Sequence, residues 1–256
     1  MTAQDGPLFR RIADALRSAI LSGELTPGTQ LPSENELKDE YGTTRVTVRK
    51  ALALLKADGL LTSQQGKGVF VRSRPNVQML TTGANFRIRR NTGEANYNAE
   101  AAAQGLSAEQ QLIEVGRVPA PPEIAERFGF AVGTPVIVRR RRFLVNGEAM
   151  QLVDGYYAAD RFTGTAVELP RRIRGGVSRL IEDPDGPVRQ RIVQFVEDLE
   201  IRMPTPEESA ALDIAPGVPL ARVFRVGHVA SGEIVEVLDS RVPCDRHVFR
   251  YVIDVP

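Results

Sequence analysis

Arg45 and Arg49 stand four residues apart with Thr47 between them, in the run TRVTVRKAL. On a helix that spacing places both guanidiniums on one face, one turn apart. A guanidinium can donate two hydrogen bonds to guanine O6 and N7, and a helix fits the major groove, so the pair suits the reading of base edges. From Arg45 to Arg72 the other basic residues are Lys50, Lys56 and Lys67, against Asp58 alone, an excess suited to a phosphate backbone. A second group lies in the run IVRRRRFL, where Arg140 and Arg142 are two apart. On a strand they project from one face, and an anion there would be held by charge-assisted hydrogen bonds, with Glu236 expected on a partner strand.

The first group needs helices to present it. Ser33 followed by Glu36 is a capping box, opening a helix expected to run to about Tyr41. Gly42 allows a tight turn, and Thr43 or Thr44 can cap a second helix whose apolar face is Val48, Ala51, Leu52 and Leu55. Gly59 falls where a helix end needs a left-handed residue, and Leu60 to Gln64 and Val69 to Arg72 read as a hairpin about Gly66-Lys67-Gly68. Upstream, Phe9, Ile12, Ala13, Leu16 and Ile20 share the face of a third helix that completes the core, ended by Gly23 and Pro27-Gly28. The order is helix, turn, helix, wing.

LPSENEL, TRVTVRKAL, LLKADGLL and QGKGVFV closely resemble the winged helix-turn-helix signature of GntR-family transcriptional regulators. The resemblance implies that Arg45 and Arg49 contact operator bases and phosphates, that Thr47 binds phosphate, and that Gly66 enters the minor groove. Ser33, Asn35, Thr44, Gln65 and Lys67 complete the expected DNA-binding set. Asn35 departs from relatives that carry arginine there, and an asparagine can still donate to phosphate or pair with adenine.

The 256-residue chain has a net charge of +1, so affinity for nucleic acid has to come from a local patch. Cys244 is the only cysteine, which excludes an internal disulfide and a cysteine metal cluster. No cofactor or metal is expected. No apolar run approaches the roughly 20 residues of a membrane span, and the start has no signal-peptide pattern, so no membrane partner and a cytoplasmic location are expected. The expected division is a DNA-binding domain at 1–73, a linker rich in Asn, Gly, Thr and Arg at 74–98, and a second domain at 99–256.

The second domain carries an internal repeat. Pro122 aligns with Pro206, Gly133 with Gly217 and Pro135 with Pro219, each 84 apart; Gly147 aligns with Gly232, Glu148 with Glu233 and Asp154 with Asp239, each 85 apart. One residue was gained in the second hairpin turn. Each copy reads as helix, strand, turn, strand, with proline at the first helical position. Further strands are expected near 111–118, 188–201 and 247–255, and helices near 99–104 and 176–181. The fold class is therefore α+β, a winged helix-turn-helix followed by a mainly antiparallel sheet with helices packed on it.

From about residue 98 onward the chain is similar to the UTRA domain of the HutC branch of the same family, a fold like that of chorismate lyase. In relatives that bind sugar phosphates, the arginines that match Arg140 and Arg142 hold the phosphate and a glutamate matching Glu236 holds the sugar, so the resemblance implies that these three residues bind the effector. Strand parity puts Glu236, Ser240 and Val242 on one face, and the repeat maps it onto Gln151, Val153 and Tyr157, which together form the expected effector set. Val153 and Val242 stand where some relatives carry a carboxylate and a tyrosine, so the expected ligand is less hydroxylated than a sugar phosphate. An enzyme is the competing reading, but neither His228 nor His247 sits in a nucleophile or metal spacing. Another is a plasmid-type or architectural DNA-binding protein whose second domain only dimerises; ligand-dependent release of DNA separates the two. The sequence points to a homodimeric repressor that binds a pseudo-palindromic double-stranded operator and is released by a small-molecule effector.

Overall fold

Apolar periodicity builds α1 (Leu8–Ser22), which buries Ile12, Ala13 and Leu16 and ends at left-handed Gly23. The computed structural model describes residues 6–64, 66–73, 79–80, 101–102, 105–249 and 251. Two units divide the chain: Met1–Asn76 with Met203–Pro219, and Val77–Arg202 with Leu220–Pro256. Residues 203–219, which the sequence places in the second domain, group with the first unit. Apart from Met79–Leu80, the expected linker lies outside the described residues, as does most of the helix expected near 99–104.

In the first unit α2 (Glu34–Glu40) opens on the capping box: the Glu36 amide donates to Ser33 Oγ at 3.3 Å and the Ser33 amide donates to Glu36 Oε2 at 2.7 Å. α3 (Arg45–Ala57) is capped by Thr44, whose hydroxyl accepts from the Thr47 amide at 3.3 Å. Leu37 of α2 and Val48, Ala51, Leu52 and Leu55 of α3 close over Ile12 and Leu16. Arg17 Nη2 meets Asp58 Oδ2 at 2.6 Å, tying α1 to the end of α3. Gly59 has φ 71°, as the helix stop requires. β1 (Leu61–Gln64) and β2 (Gly68–Val71) form the antiparallel wing. Thr29–Leu31 adds a third strand-like segment through Leu31 N to Val69 O and Val71 N to Thr29 O, both 2.8 Å.

The second unit is a six-stranded antiparallel sheet of order β4-β5-β6-β9-β8-β7. Its elements are β4 (Ala108–Pro119), α4 (Pro122–Phe128), β5 (Pro135–Val145), β6 (Glu148–Ala158), α5 (Ala159–Phe162) and α6 (Gly176–Glu182), followed by β7 (Ile192–Arg202), β8 (Leu220–Val229) and β9 (Ile234–Pro243). Between β7 and β8 runs α7 (Pro206–Leu212), which belongs to the first unit. The repeat is visible in this order, since each copy supplies three neighbouring strands and the copies meet at β6 and β9. Pro122 and Pro206 open α4 and α7 as the first helical residues. A short β10 (His247–Val248) pairs in parallel with β3 (Met79–Leu80).

Asn146 and Gly147, with φ of 51° and 82°, form the two-residue turn between β5 and β6. Positive φ at both positions matches the twist of the strands they join. The ladder then shifts between Phe143 and Leu144, and the second copy shifts at the equivalent place, between Gly227 and His228. Each shift leaves one buried residue extra, Met150 in β6 and Val235 in β9. A bulge of one residue changes which side chains of neighbouring strands share a face. One face of the sheet packs on α4 through Ile124, Ala125, Phe128, Val136, Val138 and Phe224. The other packs on α5 and α6 through Ile137, Tyr157, Phe162, Val177 and Ile181.

Replacing Ser33 by alanine removes the cap hydroxyl and is expected to cost about 1 kcal/mol of stability. Urea denaturation of the two chains side by side checks it.

Candidate DNA interface and effector face

On α3 the buried stripe Val48, Leu52 and Leu55 leaves Arg45 and Arg49 on the outer side, both exposed. Their guanidiniums converge on one carboxylate. Arg49 Nε lies 2.8 Å and Arg45 Nη2 3.3 Å from Glu34 Oε2, at the first residue of α2. Burial raises the Glu34 pKa, but the hydrogen bonds and charges of Arg49 and Arg45 outweigh it and hold the carboxyl below its ordinary value. Thr44 and Thr47 share a hydroxyl–hydroxyl hydrogen bond of 3.0 Å beside Arg45. The hydroxyls of Ser33 and Thr44 are engaged in helix caps, so these two residues shape the surface that Asn35, Arg45, Thr47 and Arg49 present.

The wing turn is exposed at Gly66 and Lys67, and Gly66 has φ 74°. Gln30 Nε2 donates to Lys67 O at 2.7 Å, fixing the turn to the segment before α2. Gln65 lies outside the described residues. The described members of the sequence-expected DNA set therefore fall on α2, the start of α3, their caps and the wing of one unit. Glu34, which joins Arg45 and Arg49, is not among the residues expected from sequence.

The effector face requires a correction. Arg140, Arg142 and Glu236 were expected to face one another, but the register puts Arg140 opposite Asp154 and Arg141 opposite Val153. Val153 pairs in turn with Ser240, and Asp154 with Asp239. Side chains directly opposite share a face. Arg140 and Arg142 consequently lie on the side of α4, and Glu236, Gln151, Val153, Tyr157, Ser240 and Val242 on the side of α6. The physical reason is the bulge at Met150: an unbroken ladder from the Asn146-Gly147 turn would pair Arg142 with Gln151 and Arg140 with Val153. The shift brings Arg139 and Arg141 to that face instead.

Those two arginines differ in their partners. Arg139 is 1% exposed, with Nη1 donating to the Val167 and Leu169 carbonyls at 2.7 and 2.9 Å and Nη2 to Arg171 O at 2.7 Å. It fastens the segment after α5 onto the sheet. The charge of Arg141 acts on the Tyr157 phenol and on Glu236, and its Nε is buried with no hydrogen-bond partner among the described residues. Gly155 makes room for them: a Cβ there would meet Tyr157 Oη at 2.7 Å and Arg141 Nη2 at 3.1 Å. Glu236 is 2% exposed and hydrogen-bonded with Ser178 of α6. Arg225, across from Leu238, shares the face and pairs through Nε with Glu197 Oε1 at 2.5 Å.

On the opposite face Arg140 pairs with Glu114 and lies 3.6 Å from Asp154, which Arg241 Nη2 also approaches at 2.8 Å. Arg222 grips Asp239 with two hydrogen bonds, 3.1 and 2.9 Å, and meets Glu123 of α4 at 3.0 Å. Arg140 is thus part of an ion-pair network around the central strands.

Burial pushes the Glu236 carboxyl up to about 7, against the opposing charges of Arg225 and Arg141. The folded state therefore holds this proton more tightly than the unfolded chain, whose carboxyl titrates near 4.5. Stability associated with the proton is present below pH 4.5 and is lost as pH rises through about 7. Glu236→Gln lacks this titration, so its stability relative to the parent is expected to grow between pH 5 and pH 8, by up to about 3 kcal/mol. Urea unfolding at the two pH values measures it.

Residues 8–71 match the family described as bacterial regulatory proteins, gntR family, and residues 103–248 match the UTRA domain. The chain is 27% identical to an HTH-type transcriptional regulator of Streptomyces coelicolor, covering 99% of this chain and 95% of that one. It is 25% identical to the HTH-type transcriptional repressor NagR of Bacillus subtilis, covering 97% and 95%. A crystal structure of a GntR-family transcriptional regulator superposes with a TM-score of 0.70 at 26% identity, covering 98% of this chain and 99% of that one.

Proposed function

The chain belongs to the GntR family of bacterial regulatory proteins, with a UTRA domain after its DNA-binding domain, and from that premise we propose that it is a repressor released from its operator by an anionic effector. It is a DNA-binding transcriptional regulator and not an enzyme; its partners are operator DNA and a small-molecule effector. The repressor reading draws on the name of the Bacillus subtilis relative. The observation that carries the effector reading is the face where Arg141, Tyr157 and Glu236 meet.

Arg141 offers an unused buried donor to an anionic or strongly polar group, and Glu236 on β9 with Ser178 on α6 offers a polar contact across β6. Val153 and Val242, both buried, make the neighbouring wall apolar. Release requires the effector to favour the arrangement that binds DNA less well, and a coupling of about 1–3 kcal/mol changes operator affinity roughly 5- to 150-fold. The proposed form is a homodimer, whose two-fold symmetry would demand a pseudo-palindromic operator, each wing and α3 reading one half-site. Footprinting that shows two symmetric half-sites supports it; a monomer at full affinity on one half-site contradicts it.

Arg49→Ala is expected to lose about 1–3 kcal/mol on operator DNA through loss of a base contact, while Lys67→Ala weakens all duplexes alike and flattens the salt dependence. Unchanged operator affinity of the Arg49 variant removes α3 from the recognition role. For the effector, a thermal-shift screen of metabolites supplies the ligand. Arg141→Ala should then need at least about tenfold more ligand to release operator, the equivalent of some 1.4 kcal/mol, and Arg140→Ala should respond as the parent does. If the two variants exchange these outcomes, the ligand binds on the α4 side.

A further inference from the structure

We infer that Glu34 is a specificity-determining residue of the DNA interface, positioning the guanidiniums of Arg45 and Arg49 for base edges and holding them back from phosphates. The inference rests on the reading of α3 as the recognition helix. Its observation is the bridge described above, in which one carboxylate on α2 receives both arginines of α3. Glu36 is engaged in the capping box, and Asp39 pairs with Lys38, so among the described residues of α2 only Glu34 is bonded to this arginine pair.

The choice of atoms matters. Arg49 uses Nε on Glu34, which leaves Nη1 and Nη2 as a fork of donors, and fork geometry is what guanine O6 and N7 require. Arg45 uses Nη2 and retains Nη1 and Nε. Both arginine side chains are more than half exposed, at 54% and 61%, whereas Glu34 is 30% exposed. An exposed arginine has many rotamers, and tethering its Nε reduces the freedom lost when the fork closes on a base.

The second effect is repulsive. A carboxylate at the edge of the interface disfavours close approach of phosphates and competes for the arginines, which penalises every duplex that cannot offer the fork a guanine edge. Specificity arises as much from such penalties as from added contacts. Removing Glu34 should therefore tighten binding to arbitrary DNA while weakening discrimination.

The test uses the full chain, an operator duplex recovered by in-vitro selection with the parent protein, and a scrambled duplex of equal composition. Affinities of the parent, Glu34→Gln, Glu34→Ala and Arg49→Ala are measured by fluorescence anisotropy over a range of salt. The inference expects the ratio of operator to scrambled affinity to fall at least about tenfold in Glu34→Ala, with scrambled binding tighter and its salt dependence steeper by up to about 0.9 per phosphate newly contacted. Glu34→Gln, which retains an acceptor for Arg49 Nε without the charge, should lie between. A merely structural role would lower both affinities together and leave the ratio unchanged, and that result, or an unchanged ratio in a fully folded Glu34→Ala, overturns the inference. Should the alanine variant not fold, Glu34→Gln decides by the same ratio. If Arg49→Ala itself keeps full operator affinity, the recognition reading fails and the inference with it; if Arg49→Ala loses affinity while the Glu34 variants keep the ratio, only the inference fails.

Discussion

The second unit depends on the two-residue period of an antiparallel ladder. Every side chain on β5, β6, β8 and β9 is committed to one face by register, and a single inserted residue reverses the commitment of a whole strand relative to its partner. Met150 and Val235 are those residues, at equivalent places in the two copies. Both are fully buried, so the bulges are part of the core and not frayed ends. Because of them Arg141, Tyr157 and Glu236 converge, while Arg140, Asp154, Arg241, Asp239 and Arg222 neutralise one another on the other side.

Much of this was legible in the residues. Local signals with a mechanism survived intact: the Ser33 and Glu36 cap, the prolines at the first positions of α4 and α7, and the positive-φ turn at Asn146-Gly147. Each concerns neighbours in sequence, where geometry is dictated by a few torsions. The repeat was legible for a different reason, since equal offsets between copies survive divergence of individual side chains. The structure extends it to β4 and β7, whose sequences share little; each ladder also carries one extra residue, Ile113 and Val193, at places that do not correspond.

What escaped the sequence depends on residues brought together by the fold. Nothing in the run around Met150 distinguishes a bulged methionine from a regular one, so the paired arginines were assigned to the wrong face. Glu34 escaped because its partners lie 11 and 15 residues away, on another helix, whereas its neighbour Glu36 declared itself through local spacing. The grouping of 203–219 with the first unit is likewise a tertiary fact, invisible to an alignment that ties this segment to its copy at 121–135.

The seam between the copies has a consequence for how such a sequence can change over generations. The β6–β9 ladder is only five residue pairs long, from Leu152 with Arg241 to Tyr156 with Val237, and at its middle Asp154 stands directly opposite Asp239. Two opposed carboxylates are tolerable because arginines reach them from both copies: Arg140 and Arg241 at Asp154, Arg222 at Asp239. Losing either acid alone takes the nearer partner from a half-buried cation, and losing an arginine alone weakens the screening between the two acids. Drift at these positions must therefore proceed in compensated steps, so the five residues should vary as a set across descendants of the ancestral duplication, long after the surrounding apolar positions have diverged independently.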